Sequence, residues 1–348
     1  VTTTDPLLRP SDLVRFGPHN GAHRVAVRAG LSVAVPLLIL WSIGRVDLSL
    51  YATFGSFTAL YGRQHTHLPR LRMQASAAIY LVAMVTIGTA VAVSPAREWL
   101  VIPVVAVCAA LASLVSDALH WHPPGPLFTV FALAACASVP TAPAQIPVAF
   151  GLAAGSAVLS MLIGLVGYAH PRARRLVHTP WRVSVANASV STALRYGAVV
   201  LVTGLIPTLT GLGHPYWAMV AGVAAVSGAD TTARLVRAGH RILGTVVGIG
   251  VAAAILALGL PTLATILVVV GLQVLAELFV GRNYGLTLAF VTPLAILMVE
   301  LAHHVEEGVL LRDRLVETAL GVAVGVVFVL IAHRRARQDT LGTGRIEV

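Results

Sequence analysis

The sequence predicts an all-α integral membrane protein of about twelve transmembrane helices. They fall into two parallel six-helix repeats, each with traces of an inverted three-plus-three repeat. Three observations carry this. First, 57% of the 348 residues are hydrophobic and only 11% are charged, against about 25% charged in ordinary soluble domains. A soluble fold could not cover that much apolar surface. Second, the apolar residues come in runs of spanning or near-spanning length, separated by short polar connectors. Third, landmarks of the first half recur at a nearly constant offset in the second.

The apolar mass is Ala, Val, Leu and Gly, which suits close helix packing in lipid, where small residues let backbones approach. All 24 basic residues are Arg and the net charge is +10. In a soluble domain that excess would point to nucleic acid. Here the arginines sit between apolar runs, so the charge reads as topological and no nucleic-acid partner is expected. Cys108 and Cys136 lie inside apolar runs and read as small buried hydrophobes. The polar first 25 residues carry Pro6, Pro10 and Pro18 and lack the apolar core of a cleavable leader.

In chain order, residues 1–25 form a cytoplasmic N-terminal segment. The first membrane repeat, 26–170, holds runs at 26–43, 48–62, 75–93, 100–117, 126–140 and 147–169. A basic cytoplasmic linker, 171–189, contains PRARRLVHTPWR. The second repeat, 190–333, holds runs at 190–210, 215–228, 241–259, 261–279, 284–300 and 314–333. Residues 334–348 are a basic cytoplasmic tail. With the N-terminus inside, only Arg45, Arg97, Arg312 and Arg314 fall outside; the positive-inside rule therefore places both termini in the cytoplasm. The runs 48–62, 126–140, 215–228 and 284–300 are short for a straight span. Two of them hold matching places in the two halves, which in transporters points to a binding site. Thin, tilted helices are the plainer reading.

The halves align through Arg28-Ala-Gly30 with Arg195-Tyr-Gly197, Tyr51 with Tyr216, Gly62 with Gly228, and Arg70 and Arg72 with Arg237 and Arg241. Asp117 and Gly125 match Glu277 and Gly285. Six helices per half make the repeat parallel. Within the second half, Arg241-Ile-Leu-Gly-Thr-Val-Val-Gly248 resembles Arg314-Leu-Val-Glu-Thr-Ala-Leu-Gly321, each preceded by a run opening on tyrosine. One copy starts inside and the other outside, the pattern of an inverted repeat.

His214-Pro-Tyr-Trp-Ala218, Arg241-Ile-Leu-Gly-Thr245, Glu277 through Arg282-Asn-Tyr284, Thr292-Pro293, and Arg314 with Thr318 and Gly321 together resemble the fusaric-acid-resistance family. That group includes the aromatic acid exporters and is distantly related to the aluminium-activated malate channels. The resemblance implies export of small, often aromatic, carboxylic acids across the bacterial cytoplasmic membrane, along a pathway between two six-helix units. Larger members carry a sizeable soluble domain that the short linker here does not match.

An organic anion needs positive potential in the membrane, which helix N-termini supply. The starts of the short runs are therefore candidate pathway positions: Tyr51, Tyr216 with Trp217, and Asn283 with Tyr284. Aromatic-belt residues are the alternative. Arg72, Arg241 and Arg282 are candidates for drawing the anion to the cytoplasmic mouth, since a guanidinium grips a carboxylate at two points; positive-inside anchoring is the alternative. Asp230 is expected to cap a short connector helix, ADTTARLVRAGH, and to pair with Arg234. Asp117 and Glu277 are acids near the ends of apolar runs, hence candidates for proton coupling. The alternative is ion pairing, Glu277 with Arg282 and Asp117 with a nearby Arg. The GxxxG pairs Gly244/Gly248 and Gly321/Gly325 read as helix packing.

No phosphate loop or catalytic motif appears, so no enzyme activity, cofactor or metal is expected. The reading is an exporter of small organic, aromatic carboxylic anions driven by the proton gradient. Its partners are the anion, protons and the lipid bilayer, with a homodimer left open. A passive anion channel and a non-transporting membrane scaffold are the alternatives.

Overall fold

The computed structural model describes residues 10–19, 21–63, 65–166, 183–303 and 305–343, with side chains described as far as residue 334. Residues 171–182 of the expected linker, most of the N-terminal decapeptide and the end of the tail lie outside these. The helices are α1 (Pro10–Leu13), α2 (Ala22–Ser42), α3 (Ser49–Ser56), α4 (His67–Ala92), α5 (Arg97–Ala118), α6 (Leu127–Ser138), α7 (Gln145–Leu165), α8 (Val190–Thr210), α9 (Tyr216–Val226), α10 (Thr231–Leu256), α11 (Thr262–Phe279), α12 (Tyr284–Ala302) and α13 (Glu307–Thr343). Among the described residues there is no strand, and nine helices are long and apolar enough to cross a membrane. Every expected run falls on a helix.

Three helices are short: α3, which continues as a 3-10 turn over Phe57–Leu60, and α6 and α9. At 1.5 Å per residue none of them reaches across about 30 Å of hydrocarbon. They are also the most enclosed: every residue of α3 and α9 is buried. Protein, not lipid, surrounds their exposed backbone ends, the condition under which broken helices are tolerated at membrane depth. The run at 284–300, expected to be short, is instead a helix of spanning length, α12.

Local chemistry sets the helix ends. The Asp230 carboxylate accepts from the Ala233 N–H at 2.8 Å and caps α10, and Asn283 Oδ1 accepts from the Leu286 N–H at 2.9 Å and caps α12. Gly211, at φ 74, closes α8 in the left-handed conformation. The polar stretch after Asp230 is not a separate connector. It is the first turns of α10, which run unbroken into the apolar part. Arg234 feels the Asp230 charge but makes no close ion pair with it among the described residues; its Nε donates to the Gly228 carbonyl at 3.2 Å.

Packing follows one scheme. In the first half α4 packs on α6 and α7, and α3 on α7; in the second, α10 packs on α12 and α13, and α9 on α13. Between halves, α2 packs on α11 and α5 on α8. The closest approaches use glycine. A Cβ at Gly244 would collide with the Gly285 carbonyl oxygen, and one at Gly321 with the Ala218 carbonyl oxygen, so α10 meets α12 and α13 meets α9 backbone to backbone. The outer surface carries Ile79, Val107, Leu162, Leu194, Val247 and Leu267, all exposed. In water this would be untenable; against acyl chains it is the expected boundary.

The loops before α4, α6, α10 and α12 lie on the same face as the N-terminal segment, called here the N-terminal face. The loops before α3, α9 and α13 lie on the opposite face.

A central cavity lined by arginine

Between the halves lies a cavity of about 130 Å³. Its walls are Phe57, Leu60, Phe128 and Phe131 from the first half and Val220, Leu288, Val291 and Leu294 from the second. Four arginines line it: Arg63, Arg237, Arg241 and Arg314. The one carboxylate of the lining, Glu277, is already paired. Arg63 Nη1 lies 3.0 Å from its Oε2, and Arg63 Nη2 donates to the Glu277 backbone carbonyl at 2.8 Å. The expected pairing of Glu277 with Arg282 is therefore corrected. The partner comes from the loop after α3, across the boundary between halves.

The other three arginines are held by aromatic rings rather than acids. Arg241, 3% exposed, donates from Nη1 to the Tyr284 hydroxyl at 3.1 Å. The Arg237 guanidinium carbon lies 4.1 Å from the centre of the same ring. Arg314, 1% exposed, lies 3.9 Å from the centre of the Trp217 ring. These contacts leave donors over. Nε of Arg237, Nε of Arg241, and Nε and Nη1 of Arg314 are buried without a hydrogen-bond partner. Buried donors left unmade cost about 1–3 kcal/mol each, more when charged.

The arrangement is crosswise. Arg241 on α10 meets the first residue of α12, and Arg314 on α13 meets the second residue of α9. Each arginine-bearing helix thus meets the aromatic start of a helix outside its own sequence module.

The sequence candidates divide accordingly. Tyr284, Arg241 and Glu277 come together in the cavity wall, and Trp217 stands behind Arg314 of that wall. Tyr216 lies beside them and forms, with Phe131 and Trp217, an aromatic layer: Phe131 and Tyr216 stack at 6.5 Å, and Tyr216 and Trp217 sit 4.4 Å apart. Beyond this layer a vestibule of about 300 Å³ opens at the opposite face, lined by Arg97, Glu98, Gly213 and Tyr216. Tyr51 is buried elsewhere, with its hydroxyl towards Thr89 and Thr141. Arg72 is exposed on the outer side of α4. Its neighbour Arg70 is the buried one, spent on the carbonyls of Gly62, His65 and Gly164. Arg70 thus has the role of Arg234, which holds Gly228, and among the described residues the first half shows no counterpart of the Arg241 cluster. Asp117 lies at a separate cavity of about 500 Å³ near the N-terminal face, with His120, Arg195 and Arg234; no ion pair to an arginine is seen there among the described residues.

Arg282 and Asn283 tie down the N-terminal segment. Asn283 Nδ2 donates to the carbonyls of Leu13 and Arg15, each at 3.2 Å, and His240 Nε2 lies 2.8 Å from the Leu13 carbonyl. The Gly17 N–H donates to the Arg282 carbonyl at 2.8 Å, and the Arg282 side chain faces Phe16. Residues 12–17 thereby lie across an outer cavity that shares Arg237, Tyr284 and Val280 with the central one.

Arg63, Arg237, Arg314 and Glu317 were not among the sequence candidates. Glu317 had a readable signal: it is an acid inside the apolar run 314–333, one turn after Asp313 at the edge of that run.

Fold and cavity define a multi-pass helical membrane protein with an arginine-lined interior. Residues 199–328 match the family model described as fusaric acid resistance protein-like. The resemblance carried by His214-Pro-Tyr-Trp, Arg241-Ile-Leu-Gly-Thr and Arg282-Asn-Tyr is thus shown for the second half of the chain. An uncharacterized membrane protein of Bacillus subtilis (strain 168), YvaC, is 30% identical over 144 residues, covering 41% of this chain and 23% of that protein. The chain spans under a quarter of that relative's length. No solved structure matches.

Proposed function

We propose that the protein exports small organic anions, aromatic carboxylates among them, across the bacterial cytoplasmic membrane. The observation that carries this is the central cavity: three arginines with unused buried donors, set in walls of Phe57, Phe128 and Phe131. Guanidinium groups suit a carboxylate, and the rings suit the flat apolar remainder of an aromatic acid. A non-transporting scaffold would have no use for such an interior. The aromatic layer between cavity and vestibule favours a carrier over an open channel.

The two halves act as parallel six-helix units related by an axis along the membrane normal. The support is the recurrence of the same packing partners in each half and the reciprocal contacts of α2 with α11 and α5 with α8. The crosswise contacts of Arg241 and Arg314 support an inverted repeat within the second half. The N-terminal face is cytoplasmic on the distribution of arginines. The driving force is the proton gradient through its electrical part: moving one negative charge out of an interior-negative cell gains about 2.3 kcal/mol per 100 mV.

The test is transport of hydroxybenzoate by purified protein in proteoliposomes with an imposed potential and pH gradient. Wild type should move it faster than protein-free liposomes, and R241Q and R314Q should not. Equal rates for wild type and empty liposomes would end the exporter reading for aromatic acids.

A further inference from the structure

Arg314 is not the last buried charge on α13. Glu317 is 0% exposed and lies three residues after Arg314, on the same side of the helix. Its Oε1 accepts from the His214 backbone N–H at 2.8 Å. Its Oε2 is buried with no well-formed hydrogen bond, the Trp217 backbone N–H being the other donor near the carboxylate. Arg314 is the arginine that acts on it, yet no ion pair joins the two among the described residues; the guanidinium carbon sits over Trp217 instead, 3.9 Å from the ring centre. An acid and a base sit side by side in the interior, each with unused hydrogen-bonding capacity.

The surroundings are specific. On α13 itself, Asp313 lies one turn before Glu317 and is spoken for: its Oδ2 is 3.0 Å from His214 Nδ1, and its Oδ1 accepts from Arg312 at 2.9 Å. From α9 and the loop before it come His214 and Tyr216, from α10 Arg241, and from α12 Tyr284. Arg314 is thus the arginine that balances Glu317, with Arg241 set beside Arg314, and both arginines face the central cavity.

We propose that Glu317 is a proton-binding site linked to anion occupancy of the central cavity. The inference rests on the transport reading above for the identity of the anion, but not for the proton site. With the cavity empty, the Glu317 carboxylate balances Arg314. An anion arriving at Arg314 brings a second negative charge into the same low-dielectric space, where like charges repel strongly. Glu317 then takes up a proton on Oε2, and its negative charge is replaced by that of the anion. When the anion leaves, the proton leaves. The loop Gly213–Tyr216 sets this group beside the vestibule of the opposite face, so the proton is exchanged with that side and modulates anion binding without being cargo.

Infrared spectroscopy of purified protein tests this, with benzoate as the probe. In wild type a protonated-carboxyl band should grow in as pH is lowered, and E317Q should lack that band. Benzoate should move the band's appearance to higher pH and should raise the pH of a weakly buffered wild-type sample by uptake of about one proton per site. E317Q should bind benzoate without uptake. A band unchanged in E317Q overturns the proposal. Benzoate that binds without moving the band overturns the linkage. Benzoate that fails to bind at all overturns the linkage together with the transport reading, with the band remaining as the mark of a proton site. If E317Q does not fold, E317D serves: it should shift the band's frequency, and an unshifted band overturns the assignment.

Discussion

The Arg314 guanidinium lies 3.9 Å from the centre of the Trp217 ring, with both side chains sealed from solvent. A cation on the face of indole is worth about 2 kcal/mol when desolvated. That stacking orients the fork while leaving Nε and Nη1 free.

Arg314→Lys therefore separates charge from shape. Lysine keeps the charge but cannot stack as a plane or present a fork. Hydroxybenzoate transport in proteoliposomes should fall about tenfold or more, corresponding to about 1.4 kcal/mol. Trp217→Leu, which removes the platform and keeps the arginine, should fall in the same direction.

The ion pair of Arg63 with Glu277 joins residues 214 apart in sequence, one from each half. Removing one partner of a buried pair costs about 3–5 kcal/mol, because a charge is left uncompensated. R63Q and E277Q should each lower the thermal midpoint of the purified protein. The double variant should lose less than the two singles added together, the signature of direct coupling.

Helix contact at Gly321 and Gly244 leaves no room for a methyl group. G321A and G244A should each destabilise by about 1–3 kcal/mol, the range for overpacking, read as a lowered midpoint in denaturation by sodium dodecyl sulfate. G250A is the control. Nothing lies within 4 Å of a Cβ there, and alanine is the better helix former, so the midpoint should hold or rise.

Asn283 does two jobs with two ends of one amide. Its oxygen caps α12, and its nitrogen holds Leu13 and Arg15. Asn283→Asp keeps an acceptor for the cap and removes both donors. Residues 12–17 should then loosen while α12 stays intact: a cysteine at Phe16 should react faster with a maleimide in N283D, with an unchanged thermal midpoint. Asn283→Ala should do both, with about 1 kcal/mol lost from the missing cap.

Much of the fold was legible because it rests on local signals. Each apolar run became a helix, since in lipid a backbone must satisfy its own hydrogen bonds. Asp230 caps a helix as expected, though a long one rather than a connector, and the GxxxG glycines pack helices for the same local reason. Starts were misjudged where arginines occupy the first turns of a helix, as in α10, because hydropathy alone treats charged turns as loop. Arg70 and Arg72 are equivalent candidates along the chain; only the packing of α4 buries Arg70 and leaves Arg72 exposed.

By itself the sequence determined the membrane class, the places of the helices and the second half's family likeness. Composition, run length and ordered motifs need no knowledge of neighbours. Only the tertiary structure decided which charges meet. Arg63 finds Glu277 across the two halves, Arg241 finds Tyr284 at the start of α12, and Arg314 finds Trp217 at the start of the short helix α9, each on a helix or loop distant in sequence. The physical reason is that burial of a charge depends on what stands opposite it across a helix interface. That partner is set by the packing of backbones at Gly244 and Gly321, not by any spacing along the chain.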